Sequence, residues 1–296
     1  MLCLAALVAC GTDQTDTSSP SAQGGRTPSP HSTATPEPSH PATPLSRESF
    51  PVVVGPESVA GWWDGSRWVP AEGRMPEIPA GAGEVYTIVR LADPLTTAPG
   101  SAPEAGCETI PGAASIDIPG VVRQLRLDPP PIAISEVANP RPRPVEVLSP
   151  DSAAYRLAAA EALRERGVED PEPRVVQVVR SDLDGDGRDE VVVVTERIGD
   201  SEGLIARTGD YSVVFLRRVV DERPVTTLVS ESIPKPQPEQ TPFVLSHRVS
   251  AVADLNGDGR MEIALSQRYY EGAAVTFFEL RADGSVVEVL SSGCGA

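Results

Sequence analysis

Aromatic side chains are scarce in this chain of 296 residues, which has 5 Phe, 5 Tyr and 3 Trp against 31 Pro and 25 Gly. Such a chain does not pack uniformly, because aromatics supply much of a core's buried area while Pro and Gly interrupt regular elements. Positive charge is also short: 25 Lys and Arg face 42 Asp and Glu, a net charge of −17. That balance argues against nucleic acid as a partner, since no basic groove is available to meet its phosphates. Long apolar runs are missing as well. The longest lies at residues 1–10, short of the roughly 20 residues that cross a bilayer as a helix, which excludes a multi-pass membrane protein. Histidine occurs only as His31, His40 and His247. There is no HExxH, phosphate loop, dinucleotide fingerprint or nucleophile elbow, so no catalytic constellation is visible and a non-enzymatic role is expected.

Residues 1–10 read Met-Leu-Cys-Leu-Ala-Ala-Leu-Val-Ala-Cys and turn polar immediately afterwards, the pattern that closes a secretory signal. Leu7-Val8-Ala9-Cys10 resembles the lipobox of bacterial lipoproteins. The resemblance implies lipidation of Cys10, cleavage just before it, and a tether to the outer face of the cytoplasmic membrane. No Lys or Arg precedes the apolar run, so the start of the signal is expected upstream of Met1. Residues 11–48 consist mainly of Thr, Ser, Pro, Gly and Ala and cannot bury a core. They read as a stalk, whose flexible span would be about 35 Å.

Once Cys3 leaves with the signal and Cys10 carries lipid, Cys107 and Cys294 remain. A pair of cysteines in an exported chain points to a disulfide, with two separately buried thiols as the less favoured alternative. A bridge closing so long a loop would contribute up to about 5 kcal/mol.

From about Phe50 onward the sequence is rich in valine runs punctuated by turn residues. Branched side chains suit the pleated surface of a sheet, and strands are expected at 52–54, 85–90, 121–127, 175–179, 191–195, 211–220, 225–233, 244–252, 263–267, 273–280 and 286–290. Asp283-Gly284 marks a hairpin. One helix is expected near 150–166, with Ser149 as cap, Pro150 at the first position, Leu157 and Leu163 on its apolar face and Gly167 as its stop. A proline-rich connector over 128–144 divides an N-terminal β region, 49–148, from a C-terminal region, 149–296.

The informative feature is a repeat. Residues 182–190 read Asp-Leu-Asp-Gly-Asp-Gly-Arg-Asp-Glu and residues 254–262 read Asp-Leu-Asn-Gly-Asp-Gly-Arg-Met-Glu. Oxygen ligands at positions 1, 3 and 5 of a tight loop, a backbone carbonyl at 7 and a carboxylate at 9 suit Ca²⁺, a hard ion that takes six to eight oxygens. The first loop offers Asp182, Asp184, Asp186, the carbonyl of Arg188 and Glu190. The second offers Asp254, Asn256, Asp258, the carbonyl of Arg260 and Glu262. With one more carboxylate, the first is expected to bind more tightly. An EF-hand requires a carboxylate at position 12, where Val193 and Leu265 stand.

With strands on both sides, the loops resemble FG-GAP and VCBS-type repeats, as in the calcium loops of integrin α-chain propellers. The resemblance implies two calcium sites in hairpins of four-stranded, blade-like units, at 175–181, 190–197, 211–220 and 225–233, and again at 244–253, 262–269, 273–281 and 285–290. Two blades do not close a ring. The expected fold is therefore mainly β and propeller-like but incomplete, built of antiparallel four-stranded units with one helix, and the alternative is a β-sandwich. The aromatic cluster Trp62-Trp63-Asp64-Gly65-Ser66-Arg67-Trp68 reads as core packing around a hairpin, with a sugar-stacking platform as the other reading. The expected role is a non-catalytic binding or adhesion module for a protein or glycan ligand. The alternatives are a structural envelope protein without a ligand and a secreted hydrolase dependent on His247.

Overall fold

Apart from the run at 121–127, the valine and isoleucine runs become strands where expected. In the computed structural model, residues 49–54, 58–119, 121, 129–135, 139–169, 171–199, 205–235, 242–269 and 272–295 are described. The lipobox with Cys10, the stalk with His31 and His40, and nearly all of the strand expected at 121–127 lie outside these residues.

The chain begins with β1 (Phe50–Val54), β2 (Ser58–Trp63), β3 (Trp68–Pro70), β4 (Val85–Val89) and β5 (Thr96–Pro99). It continues through β6 (Glu104–Ala105), β7 (Ala114–Ser115) and β8 (Ile132–Ser135). Six of these strands form a first sheet in the order β3-β2-β1-β8-β4-β5, and β6 pairs with β7. β8 is a correction to the sequence reading. It lies inside the supposed connector, yet it runs between β1 and β4 with Ile132, Ala133 and Ile134 fully buried.

β9 (Glu146–Leu148) and helix α1 (Ala153–Glu165) precede β10 (Val175–Ser181), β11 (Glu190–Arg197), β12 (Tyr211–Val220) and β13 (Arg223–Ser232). The second sheet has the order β13-β12-β11-β10-β9, so the expected four-stranded meander gains a fifth, edge strand. The third sheet is the expected meander of β14 (Ser246–Ala253), β15 (Glu262–Tyr269), β16 (Gly272–Leu280) and β17 (Val286–Gly295). The protein is thus mainly β, with antiparallel sheets and one α-helix, and no closed propeller forms among the described residues.

The helix starts three residues later than expected. Ser149 accepts the Asp151 N–H through its hydroxyl at 3.2 Å, making a turn, and extended Ser152 is the residue before the first helical turn. Leu157 is 62% exposed rather than on the apolar face. Leu163 does lie on that face, with Ala158, Ala159 and Ala162, packing on Val178, Val193, Tyr211 and Phe215 of the second sheet.

The third sheet is the middle layer of a stack. Ala251, Ala264, Phe277 and Leu290 pack on Val52, Ile132 and Ile134 of the first sheet. Val249, Ile263, Leu265 and Phe278 pack on Val179, Val192, Val214 and Leu216 of the second. Strand alternation sends neighbours Phe277 and Phe278 into opposite interfaces. The side-chain amide of Gln177 fastens β10 to edge strand β14, accepting the Val249 N–H at 2.7 Å and donating to the Val249 carbonyl at 3.1 Å.

Trp62 is buried, and Trp63 meets Trp68 edge-on with ring centroids 5.2 Å apart, both against the interface of the first and third sheets. The cluster is core packing around the β2–β3 turn. Cys107 and Cys294 are joined by a disulfide that ties the loop after β6 to β17.

Candidate metal centre

Each acidic loop is a hairpin connection, the first joining β10 to β11 and the second β14 to β15. Leu183 and Leu255, at position 2, are buried and pin each loop to the core from within. Gly185, Gly187, Gly257 and Gly259 all adopt positive φ, between 78° and 85°, a region in which a side chain is strained. At Gly187 nothing lies within 4 Å of an added Cβ, so the cost of Gly187→Ala is purely conformational. Urea unfolding of that variant is expected to show a loss of about 1 kcal/mol.

The backbone amides of the two loops are bound in the same pattern. Asp182 accepts the Gly185 and Gly187 N–H groups at 2.7 and 3.1 Å, and Asp254 accepts those of Gly257 and Gly259 at 2.7 and 2.9 Å. Asp184 accepts the Asp186 N–H at 3.2 Å, and Asn256 accepts that of Asp258 at 2.9 Å. Asp186 and Asp258 accept from Arg188 and Arg260 at 2.8 and 2.7 Å. Position 9 faces the residue just before the loop, Glu190 opposite Ser181 and Glu262 opposite Ala253. Its Oε2 accepts the position-2 leucine N–H, at 2.8 Å in both copies.

Among the described residues, Asp182, Asp184 and Glu190 bring their ligand oxygens within 4.8 Å of one another, a group able to hold a metal ion. Asp186 is exposed, with its carboxylate turned to the Arg188 amide. In the second loop Asp254, Asn256 and Glu262 are all buried, while Asp258 is exposed.

Both loops hold carboxylates whose charged form is disfavoured by burial. Burial, opposed by the Leu183 N–H and reinforced by Asp184, Asp186 and Asp182, pushes the Glu190 carboxyl up to about 7. Burial raises Asp254 too, and lifts Glu262 well above the usual carboxylate range, with Asp258 and Asp254 adding to the effect. Glu262 Oε1 is buried with no hydrogen-bond partner. An unpartnered buried polar atom costs about 1–3 kcal/mol, more for a charged group, and either a proton or a metal ion removes that cost.

Arg143 was not anticipated from the sequence. Its guanidinium donates to the carbonyls of Asp182 and Leu183, the latter at 3.0 Å, and lies 3.8 Å from Asp182 Oδ2. The recurrence of leucine at position 2 was the one sequence signal that the loops are anchored from inside.

His247 is fully buried at the seam of the second and third sheets. Its Nδ1 lies 2.9 Å from Ser212 Oγ and its Nε2 3.1 Å from Ser230 Oγ. The neighbouring Glu196 pairs with Arg248 at 3.0 Å and accepts the Ser246 hydroxyl at 2.7 Å. A cavity of about 240 Å³ lies between the first and third sheets near the disulfide, with Glu72, Ser291 and Ser292 as its polar lining.

No protein-family model, curated protein or solved structure matches this chain.

Proposed function

We propose that this protein is an exported, calcium-stabilised β scaffold, held to the outer face of the cytoplasmic membrane by lipid on Cys10, that acts as a non-catalytic binding or adhesion module for a protein or glycan ligand. The observation that carries the calcium reading is the repeated pattern of backbone-amide bonds in two loops that each bury a position-9 glutamate among acidic partners. The donors offered are carboxylate, amide and carbonyl oxygens, with no imidazole or thiolate. That set suits a hard cation rather than zinc or copper. Asp182, Asp184, Asp186, Glu190 and the Arg188 carbonyl would hold one ion. Asp254, Asn256, Asp258, Glu262 and the Arg260 carbonyl would hold the other. Bound there, calcium would neutralise the buried carboxylates and fix the hairpins, a folding role rather than a chemical one.

Calorimetry after EDTA treatment is expected to show two Ca²⁺ bound per chain. The melting temperature should rise with calcium, one site contributing about 2.7 kcal/mol at a hundredfold excess over its Kd. Absence of both heat and thermal shift at millimolar calcium would end the calcium reading. The tether is tested by the mass of the mature N-terminus, and the binding role by screening glycans and proteins on the calcium-loaded chain.

A further inference from the structure

We infer that the two loops bind their cations with positive cooperativity, because the loop at 182–190 sets the position of a ligand in the loop at 254–262. This rests on the calcium reading above and concerns how the two sites govern each other.

The Met261 N–H donates to the Leu183 carbonyl at 2.8 Å, so the second loop is hydrogen-bonded to the first. That N–H belongs to the same planar peptide unit as the Arg260 carbonyl, the position-7 oxygen of the second loop. In a trans peptide the two groups point in opposite directions. Anchoring the N–H on Leu183 therefore fixes the direction of the Arg260 carbonyl.

Leu183 is itself held by the first site. Its N–H is bound by Glu190 Oε2 at 2.8 Å, and its neighbours Asp182 and Asp184 belong to the same acidic group. Leu183 and Met261 are buried in one apolar cluster, so neither shifts without disturbing the other. A third connection comes from the segment before β9. The Pro140 carbonyl accepts the Asp254 N–H at 2.9 Å, while Arg143 donates to the carbonyls of Asp182 and Leu183. One short stretch of chain thus fastens both loops.

The second site also has a reason to demand a cation of its own, since Glu262 Oε1 is buried without a partner. Ordering Leu183 by filling the first site removes part of the ordering cost of the second, and such a saving appears as cooperativity. Mutual repulsion of two divalent ions opposes it, so the sign of the coupling is the measurable quantity.

Calcium titration of the whole chain and of Asp184→Asn tests this. In the variant, the remaining site is expected to bind at least about fivefold more weakly than the second step of the wild type, the lower end of ordinary coupling. Asp258→Asn should weaken the first site by the same factor, because linkage is reciprocal. It also serves if Asp184→Asn fails to fold. Hydrogen exchange supplies a separate readout: filling the first site in Asp258→Asn should slow exchange of the Met261 amide. Two ions bound in the wild type with the variant's constant unchanged, or tightened, would overturn the coupling and leave the calcium reading intact. A wild type that binds no calcium would remove both.

Discussion

Replacing both Cys107 and Cys294 by serine is expected to lower the unfolding free energy by about 5 kcal/mol, the largest single effect predicted for this chain. The bridge joins residues 187 apart in sequence, and loop-closure entropy assigns about 5 kcal/mol to a loop of that size. The location matters as much as the size. Cys294 is on β17 of the middle sheet, whereas Cys107 is in the loop that follows β6. Opening the bridge removes the covalent tie between the end of β17 and the loop after β6, leaving the Thr109 hydroxyl bonded to the Gly295 carbonyl. Urea denaturation of the calcium-loaded double variant, with the wild type under oxidising and reducing conditions, measures the loss. A midpoint unchanged on reduction would show that the seam between the first and third sheets is held by packing alone.

The second large effect concerns acid. His247 is buried between Ser212 and Ser230, and burial pushes its imidazole down to about 4, with Arg248 adding to the shift and Glu196 opposing it. Because the folded value is below the unfolded one, near 6.5, the unfolded chain takes up the proton first as pH falls. The stabilisation is complete above 6.5, is lost through the interval down to 4 and is gone below it, a total of about 3 kcal/mol. Glu190 and Glu262 act in the opposite sense in the metal-free protein. Their folded values are raised, so their contribution is present at low pH and is lost as pH rises through the folded values. The His247 effect is therefore read as a difference. The stability of wild type minus His247→Gln, measured at pH 7.5 and 4.5, should shrink by most of that amount at the lower pH. A difference independent of pH would show that the buried imidazole does not titrate with folding.

Much of this architecture was legible because its signals are local. The valine runs at 175–179, 191–195 and 211–220 alternate with turn residues and give the first meander, and the apolar runs at 244–252, 263–267, 273–280 and 286–290 give the second. The repeated acidic loops could be read residue by residue, since positions 1, 3, 5, 7 and 9 have their meaning within nine residues. What escaped depends on distant partners. β8 was hidden among prolines, and only its pairing with β1 and β4 makes Ile132–Ser135 a central strand. β9 has just three residues and exists because β10 offers it an edge. The helix began late because Ser149 satisfies the Asp151 amide in a turn instead of capping. A continuous apolar run such as Val191–Val194 marks a strand covered on both faces but not which layer covers it, so the order of the layers appeared only in three dimensions. Arg143 was invisible for the same reason, being far along the chain from the carbonyls it binds.

That order of layers has a consequence for the life of the chain before it is folded. Protein is synthesised from its N-terminal end, and the sheet that completes both interfaces, residues 246–295, emerges after the first and second sheets. Until then the first and second sheets each present an apolar face with no counterpart, and Cys107 has no Cys294 to meet. A chain cut short within the third sheet would thus keep two sticky halves rather than a smaller stable domain. Formation of the Cys107–Cys294 bridge is then a closing step, fixing the late strand only after everything it covers is in place.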